Sequence, residues 1–225
     1  MKRISQSLWI LLVSLCYATA AAAQDDGLAN AILDIQHQWE HIHYQIPEDR
    51  QVAAFPSLED SIDALIKRYP GHAEPLVWKA IILSTHASVK GGLSALSMVR
   101  QARDLLEQAE KIDPDTLNGS IYTTLGSLYY QVPGWPLGYG DDKKAATFLK
   151  KALQINPNGI DANYFYGDFL YHRGNSKQAL AVLKKALEAP LRPGRTLADE
   201  GRHKDILVLM DKIKKSDSND QGFTL

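Results

Sequence analysis

One helical phrase occurs three times in this chain. Ala102, Leu106, Ala109 and Pro114 are spaced four, three and five residues apart. Ala145, Leu149, Ala152 and Pro157 keep the same spacing, and Ala179, Leu183 and Ala186 repeat its first two intervals. Steps of three and four put these side chains on one helical face, with a Leu between two small residues. The proline after each of the first two copies sits in a matching context, Ile112-Asp113-Pro114 and Ile155-Asn156-Pro157. A short helical unit cannot bury its apolar face alone, so repeated units must stack. No stretch alternates apolar and polar residues with period two, so the sequence predicts an all-α chain. With 45% hydrophobic and 23% charged residues it can build a core.

A second pattern precedes two of these phrases. Tyr122-x2-Leu125-Gly126-x2-Tyr129 follows the first-helix signature of the tetratricopeptide repeat, with Tyr in place of Trp. Asn163-x2-Tyr166-Gly167-x2-Leu170 is a weaker copy; Leu76, Ala80 and Leu83 are weaker still. Leu58, Ile62, Leu65 and Pro70 fit a degenerate second helix. Gly126, Gly167 and Ala80 let the second helix of each hairpin approach the first, and Ala102, Ala145 and Ala179 do the same from the other side. Breaks at Pro47, Pro56, Pro70-Gly71, Asp113-Pro114, Pro133-Gly134, Asn156-Pro157, Arg173-Gly174-Asn175 and 190–194 give helices over 27–46, 57–69, 73–87, 91–112, 117–131, 141–155, 160–173, 176–189 and 197–215. The expected fold is a TPR-like helical-hairpin solenoid with a C-terminal capping helix. Its units fall near 27–72, 73–118, 119–159 and 160–193, the cap over 196–215, and a flexible tail over 216–225. Leu197, Ile206, Leu207, Met210 and Ile213 form the expected apolar face of the cap.

Two spacings are stretched. Gly126 to Ala145 is 19 residues, against 12 from Gly167 to Ala179. The excess lies in Val132-Pro133-Gly134-Trp135-Pro136-Leu137-Gly138-Tyr139-Gly140-Asp141-Asp142, whose prolines and aromatics predict an ordered loop. Ala80 to Ala102 is longer by ten, centred on Lys90-Gly91-Gly92, which lengthens both helices or adds a turn. Asp141 is placed to cap the next helix.

The N-terminus reads as an export signal. Lys2 and Arg3 precede an apolar run from Leu8 to about Tyr17, then Ala18-Thr19-Ala20 and Ala21-Ala22-Ala23. The run is shorter than the roughly 20 apolar residues of a membrane span. Cys16 follows Leu15 rather than a small residue, which argues against lipidation. Cleavage near Ala23 removes Cys16, the only cysteine, so the mature chain relies on its core. The formal net charge of −1 gives no basic excess for a nucleic-acid partner. No later stretch is apolar enough to span a membrane.

The run Tyr129-Tyr130-Gln131-Val132-Pro133-Gly134-Trp135-Pro136-Leu137-Gly138-Tyr139-Gly140-Asp141-Asp142 resembles one found in small exported tetratricopeptide proteins of Gram-negative bacteria. Lys90-Gly91-Gly92, the stretch 159–169 and Arg192-Pro193-Gly194-Arg195 resemble the same family, so the likeness covers nearly all of the mature chain. More distantly the chain is similar to the T-component proteins of TRAP transporters, although it lacks their lipidation cysteine. The resemblance implies a periplasmic compartment and a helical-repeat fold. It implies no reaction.

Candidate chemistry is sparse. His37-Gln38-Trp39-Glu40-His41 matches the inverted zinc-protease pattern, with two imidazoles one helical turn apart and Glu40 as a base. The competing reading is a helix whose core stripe is Ile32, Ile35, Trp39, Ile42 and Ile46. No phosphate loop, dinucleotide fingerprint or nucleophile elbow occurs, so no cofactor is expected and the chain reads as a non-enzyme. Asn118-Gly119-Ser120 is a sequon that we read as a turn. The repeat frame directs Glu74, Val77, Ile81, Ser84 and Thr85, then Ser120, Thr123, Ser127, Tyr130 and Gln131, then Asp161, Tyr164, Asp168, Tyr171 and His172 into the concave groove. That surface is polar to acidic and lacks the Lys/Arg/Asn set that clamps a C-terminal carboxylate. The leading expectation is a protein or peptide partner held by Tyr130, Trp135, Tyr139, Tyr164, Asp168 and Tyr171, through the groove and the loop 132–142. The alternative is a small solute or a transporter-accessory role. An enclosed aromatic pocket favours that alternative, and an open groove favours the first. Oligomeric state is not legible. Export predicts that the protein recovered from a Gram-negative periplasm starts at or near Gln24, which intact-mass measurement checks; a retained Met1 overturns it.

Overall fold

The computed structural model describes residues 27–222; the stretch read as an export signal lies outside them. Among the described residues there are nine α-helices, one 3-10 turn and no strand. They are α1 (27–45), α2 (Glu48–Arg68), α3 (Ala73–Lys90), α4 (Gly92–Ile112), α5 (Ser120–Gln131), α6 (Asp142–Ile155), α7 (Ile160–His172), α8 (Ser176–Leu187) and α9 (Thr196–Gly222). The 3-10 turn, Thr116–Gly119, leads into α5. Consecutive helices pair as antiparallel hairpins, α1 with α2 through α7 with α8. The first helix of each hairpin faces the inside of the curve and the second faces out. This is the all-α, TPR-like solenoid that the repeat requires.

The repeat phrase does the packing work assigned to it. Ala102, Leu106 and Ala109, then Ala145, Leu149 and Ala152, then Ala179, Leu183 and Ala186, are all 0% exposed. A Cβ on Gly126 would fall 2.5 Å from Leu149 Cγ, and one on Gly167 would fall 2.8 Å from Leu183 Cγ. The Leu of the second helix therefore sits directly on the glycine of the first. The ten extra residues of the second hairpin lengthen both helices, α3 to 18 and α4 to 21 residues, with the turn at Gly91 and Gly92. Asp141 caps α6, its carboxylate accepting from the Lys143 and Lys144 amides at 2.9 and 3.1 Å.

Three expectations need correction. Pro56 does not begin a helix but lies inside α2, which starts at Glu48. Proline costs an interior helix about 3 kcal/mol. Here Gln51, Phe55, Leu58, Ile62 and Leu65 form one buried stripe across it, and Gln51 Nε2 donates to the His43 and Ile46 carbonyls that end α1. At the other terminus α9 continues to Gly222 instead of ending at 215. The residues from Ser216 to Gln221 include no proline or glycine to stop it, and Lys215 pairs with Asp211 one turn back at 2.6 Å. Leu207 is exposed, and Leu209 takes its place beside Ile206 and Ile213 in the core.

The solenoid also closes on itself. Gly201 of α9 packs on Tyr44 of α1, where a Cβ would lie 2.4 Å from the ring. Curvature has brought the first and last described helices into contact.

Replacing Gly126 by Ala should destabilise the protein, against the usual gain of about 1 kcal/mol for Gly→Ala within a helix. Overpacking Leu149 costs on the order of 1–3 kcal/mol, and Leu149→Ala alone costs about 2–5 kcal/mol. The double variant should be more stable than the sum of the two effects, as measured by denaturant unfolding; strict additivity would mean that the two side chains do not meet.

Candidate functional site

The inner helices enclose a chamber of about 580 Å³. Gln36, Trp39, His43 and Tyr44 of α1 line it, facing Trp78, Ile81, Ser84, Thr85 and Ser88 of α3. Ser120, Thr123, Thr124, Ser127 and Gln131 come from α5, and Asp161, Tyr164 and Phe165 from α7. Arg192, Arg195, Ala198, Arg202 and Asp205 of α9 and its approach complete the ring. Leu117 and Asn118 lie on the wall with left-handed backbones, φ 52° and 51°. Non-glycine residues pay roughly 1–2 kcal/mol each for that conformation. The volume lies within the range of small-molecule pockets.

The closure is ionic and buried. Glu40 is 2% exposed and pairs with Arg195 Nε. Beside this pair, His37 Nε2 lies 2.7 Å from the Gly194 carbonyl. Tyr44 approaches Asp205 at 3.4 Å. Arg192 holds buried Asp199 through Nε and reaches Asp161 with Nη1, both at 2.7 Å. Arg202 binds Asp161 at 2.8 Å and Asp205 at 3.1 Å, with its guanidinium 4.3 Å from the Tyr164 ring centre. Burial alone would raise the Asp161 carboxyl, but the Arg202 and Arg192 guanidiniums hold it well below the usual carboxylate range. Burial, reinforced by Arg202, lowers the His43 imidazole from 6.5 to about 4.

The hydroxyl wall has a fixed polarity. Ser84, Thr85 and Ser88 of α3 each donate to a carbonyl of their own helix, as do Thr124 and Ser127 of α5; Ser120 and Thr123 donate to Leu117 and Gly119 just before α5. Their protons are committed, so they offer lone pairs to the chamber. Thr85 also accepts from Trp39 Nε1 at 3.0 Å.

The six expected contact residues do not form one surface. Tyr164 lines the chamber. Tyr130 donates to Asp168 at 2.6 Å, a pair outside the chamber lining, and burial with the adjacent carboxylate raises the Tyr130 phenol well above its ordinary value. Tyr171 lies at a shallow depression where α7 and α8 join, with Lys212 5.4 Å from its ring centre. Tyr139 packs on α4: its hydroxyl donates to the Val99 carbonyl at 2.8 Å, and Arg103 covers its ring. Trp135 is 90% exposed at the tip of the same loop. Groove and loop are two separate places.

The groove is also not free of arginine. Its three guanidiniums come from 192–202, a stretch whose sequence reads only as approach and cap. Asp199 and Arg202 share a buried stripe with Ala198 and Ile206, and charges on a buried stripe signal internal pairing. Glu40 is committed to Arg195, while His37 and His41 turn to Gly194 and Gln45, so the three do not converge on a metal. Among the described residues no group of three His, Cys, Asp or Glu side chains could hold one.

Arg195→Ala should cost about 3–5 kcal/mol, because Glu40 stays buried without its counter-charge. Glu40→Gln with Arg195→Gln should cost clearly less, as denaturant titration would show. Equal losses would place the ends' adhesion elsewhere. Acid should also loosen the fold early. Unfolded His43 takes up a proton near 6.5 and the folded group near 4. Stability therefore falls as pH drops through that window, by up to about 3 kcal/mol. His43→Gln should flatten the slope; an unchanged slope overturns the assignment.

Residues 137–191 match the family model of the tetratricopeptide repeat, in keeping with this architecture. No curated protein matches the chain. Among solved structures, a thermophilic tetratricopeptide-repeat protein of Thermus thermophilus matches at 17% identity and a TM-score of 0.40, over 69% of this chain and 92% of that one. The region from the inserted loop through α8 is thus similar to tetratricopeptide repeats, within an all-α helical-hairpin solenoid.

Proposed function

We propose that this is a non-enzymatic, exported binding protein that holds a small ligand in the chamber between its inner helices. Helical-repeat solenoids present their concave face as a binding surface. The observation that carries the proposal is the closure of α9 on α1, which turns that face from an open groove into a bounded pocket. The lining sets aromatic rings beside many polar groups, and a concave pocket of this volume is the usual form of a small-molecule site. A periplasmic location, and service beside a transporter, fit the N-terminal export signal and the family resemblance.

A second reading concerns the loop. Trp135 and Leu137 are 90% and 63% exposed on a segment fixed by its own backbone bonds, Gly140 to Pro133 and Asp141 to Tyr129. Large exposed apolar side chains on a rigid loop favour a protein partner.

Ser84→Trp tests the first reading, because it places an indole within the chamber from a half-buried wall position. Thermal-shift screening of a metabolite library should give stabilising compounds for wild type that this folded variant loses. Compounds that stabilise both equally bind elsewhere and sink the chamber. Affinity capture with Trp135→Ala tests the second: a partner lost with Trp135 and kept with Ser84→Trp places docking on the loop.

A further inference from the structure

Resting on the chamber reading, we infer that the ligand is a neutral polyhydroxylated molecule, a mono- or disaccharide rather than an acid, an amine or a peptide. Charge comes first. Three guanidiniums meet four carboxylates around the chamber, Glu40, Asp161, Asp199 and Asp205, and every one of these groups is engaged by another of the set. An anion would meet a formal excess of one negative charge, and an amine would find every carboxylate already held by an arginine, so either would have to break an existing pair, and burying an unpaired charge is expensive. Helix ends at Ser120 and Ile160 add only partial charge.

Hydrogen-bonding capacity comes second. The seven hydroxyls of α3 and α5 face the chamber as acceptors, their protons already given to backbone carbonyls. Arg195 is the most open of the arginine donors. It is 9% exposed, and only its Nε is bonded, to Glu40. A guanidinium carries five N–H groups, so the two Nη amino groups keep four without a partner among the described residues. The guanidinium lies 5.2 Å from the ring centre of Trp78, whose own buried Nε1 also lacks a partner. Arg192, by contrast, is bonded at both ends of its fork. An occupant must therefore accept from Arg195 and donate to the hydroxyl wall while carrying no net charge. A sugar hydroxyl does both on one atom. The aromatic rings of the lining suit the apolar faces of sugar rings.

Trp39 and Trp78 line the chamber, so the intrinsic fluorescence of the mature protein reports occupancy. It is titrated at millimolar concentration with glucose, maltose, glucuronate, glucosamine, glycylglycine and inorganic phosphate. Glucose or maltose should perturb the emission saturably, and glucuronate and glucosamine should bind about tenfold or more weaker. The response should vanish in Ser84→Trp. It should weaken several-fold in the neutral pair Glu40→Gln with Arg195→Gln and, where that pair does not fold, in Ser84→Ala with Ser127→Ala. Tighter binding of glucuronate, glucosamine, glycylglycine or phosphate than of either sugar overturns the inference; if that binding is lost in Ser84→Trp, the chamber itself stands. No response to any of the six overturns the inference, and a library screen that also finds no chamber-dependent compound removes the chamber reading with it.

Discussion

A buried carboxylate near the start of the chain finds its counter-charge 155 residues later, and the inner surface depends on that pairing. The α5–α6 and α7–α8 hairpins are each held by the Leu of the second helix on the Gly of the first, and each hairpin stacks on the next. None of those contacts says where the array must stop curving. The Glu40–Arg195 pair does, because neither charge tolerates burial alone. His37 on the Gly194 carbonyl and Tyr44 on Gly201 add contacts without adding charge. A buried pair of this kind adds little net stability over an apolar substitute.

The division between outer and inner helices follows from the same logic. The second helices α4, α6 and α8 bury Ala-Leu-Ala faces at zero exposure and leave Lys and Glu to solvent. They are uniform because their only task is packing. The inner helices carry two duties, and their buried residues include Thr123, Thr124, Ser127, Asn163 and Trp78 beside the usual aliphatics. Buried hydroxyls can stay inside because each spends its proton on a backbone carbonyl. The hydroxyl face of the chamber is therefore polar in a controlled way, accepting and not donating.

This explains what residue order reveals and what it hides. The repeat is legible because its information is local: Ala145, Leu149 and Ala152 lie on one helical face whatever the rest does. The groove positions Ile81, Ser84, Thr85, Ser120, Thr123, Ser127, Gln131, Asp161 and Tyr164 follow from the same frame and do line the chamber. Pro56 misleads because a breaker acts locally, while the Phe55 and Gln51 contacts that outweigh it come from another helix. The arginines of 192–202 escape notice because they lie outside the repeat. Pairing between distant charges leaves no period, and α9 looks like a cap with an apolar stripe. Only the presence of Asp199 and Arg202 on that stripe hints otherwise.

Violations of ordinary local rules gather at one surface. Leu117 and Asn118 hold left-handed backbones, Trp78 Nε1 and His43 Nδ1 are buried without partners, and Arg195 leaves most of its donors unused. Two other buried imidazole atoms, on His86 and His203, lie outside the chamber, but strain, orphaned polar atoms and buried charge coincide on its wall. Sequences are locally consistent where only folding is selected, and they depart from consistency where something else must be satisfied. The inserted loop shows the opposite combination: backbone bonds from Leu137, Gly138, Gly140 and Asp141 brace it and Tyr139 is locked on α4, yet Trp135 is left in solvent. A rigid presentation of one apolar side chain and a polar chamber with unmet hydrogen bonds are different kinds of incompleteness. The first calls for a surface to lie against, and the second for a molecule small enough to be enclosed.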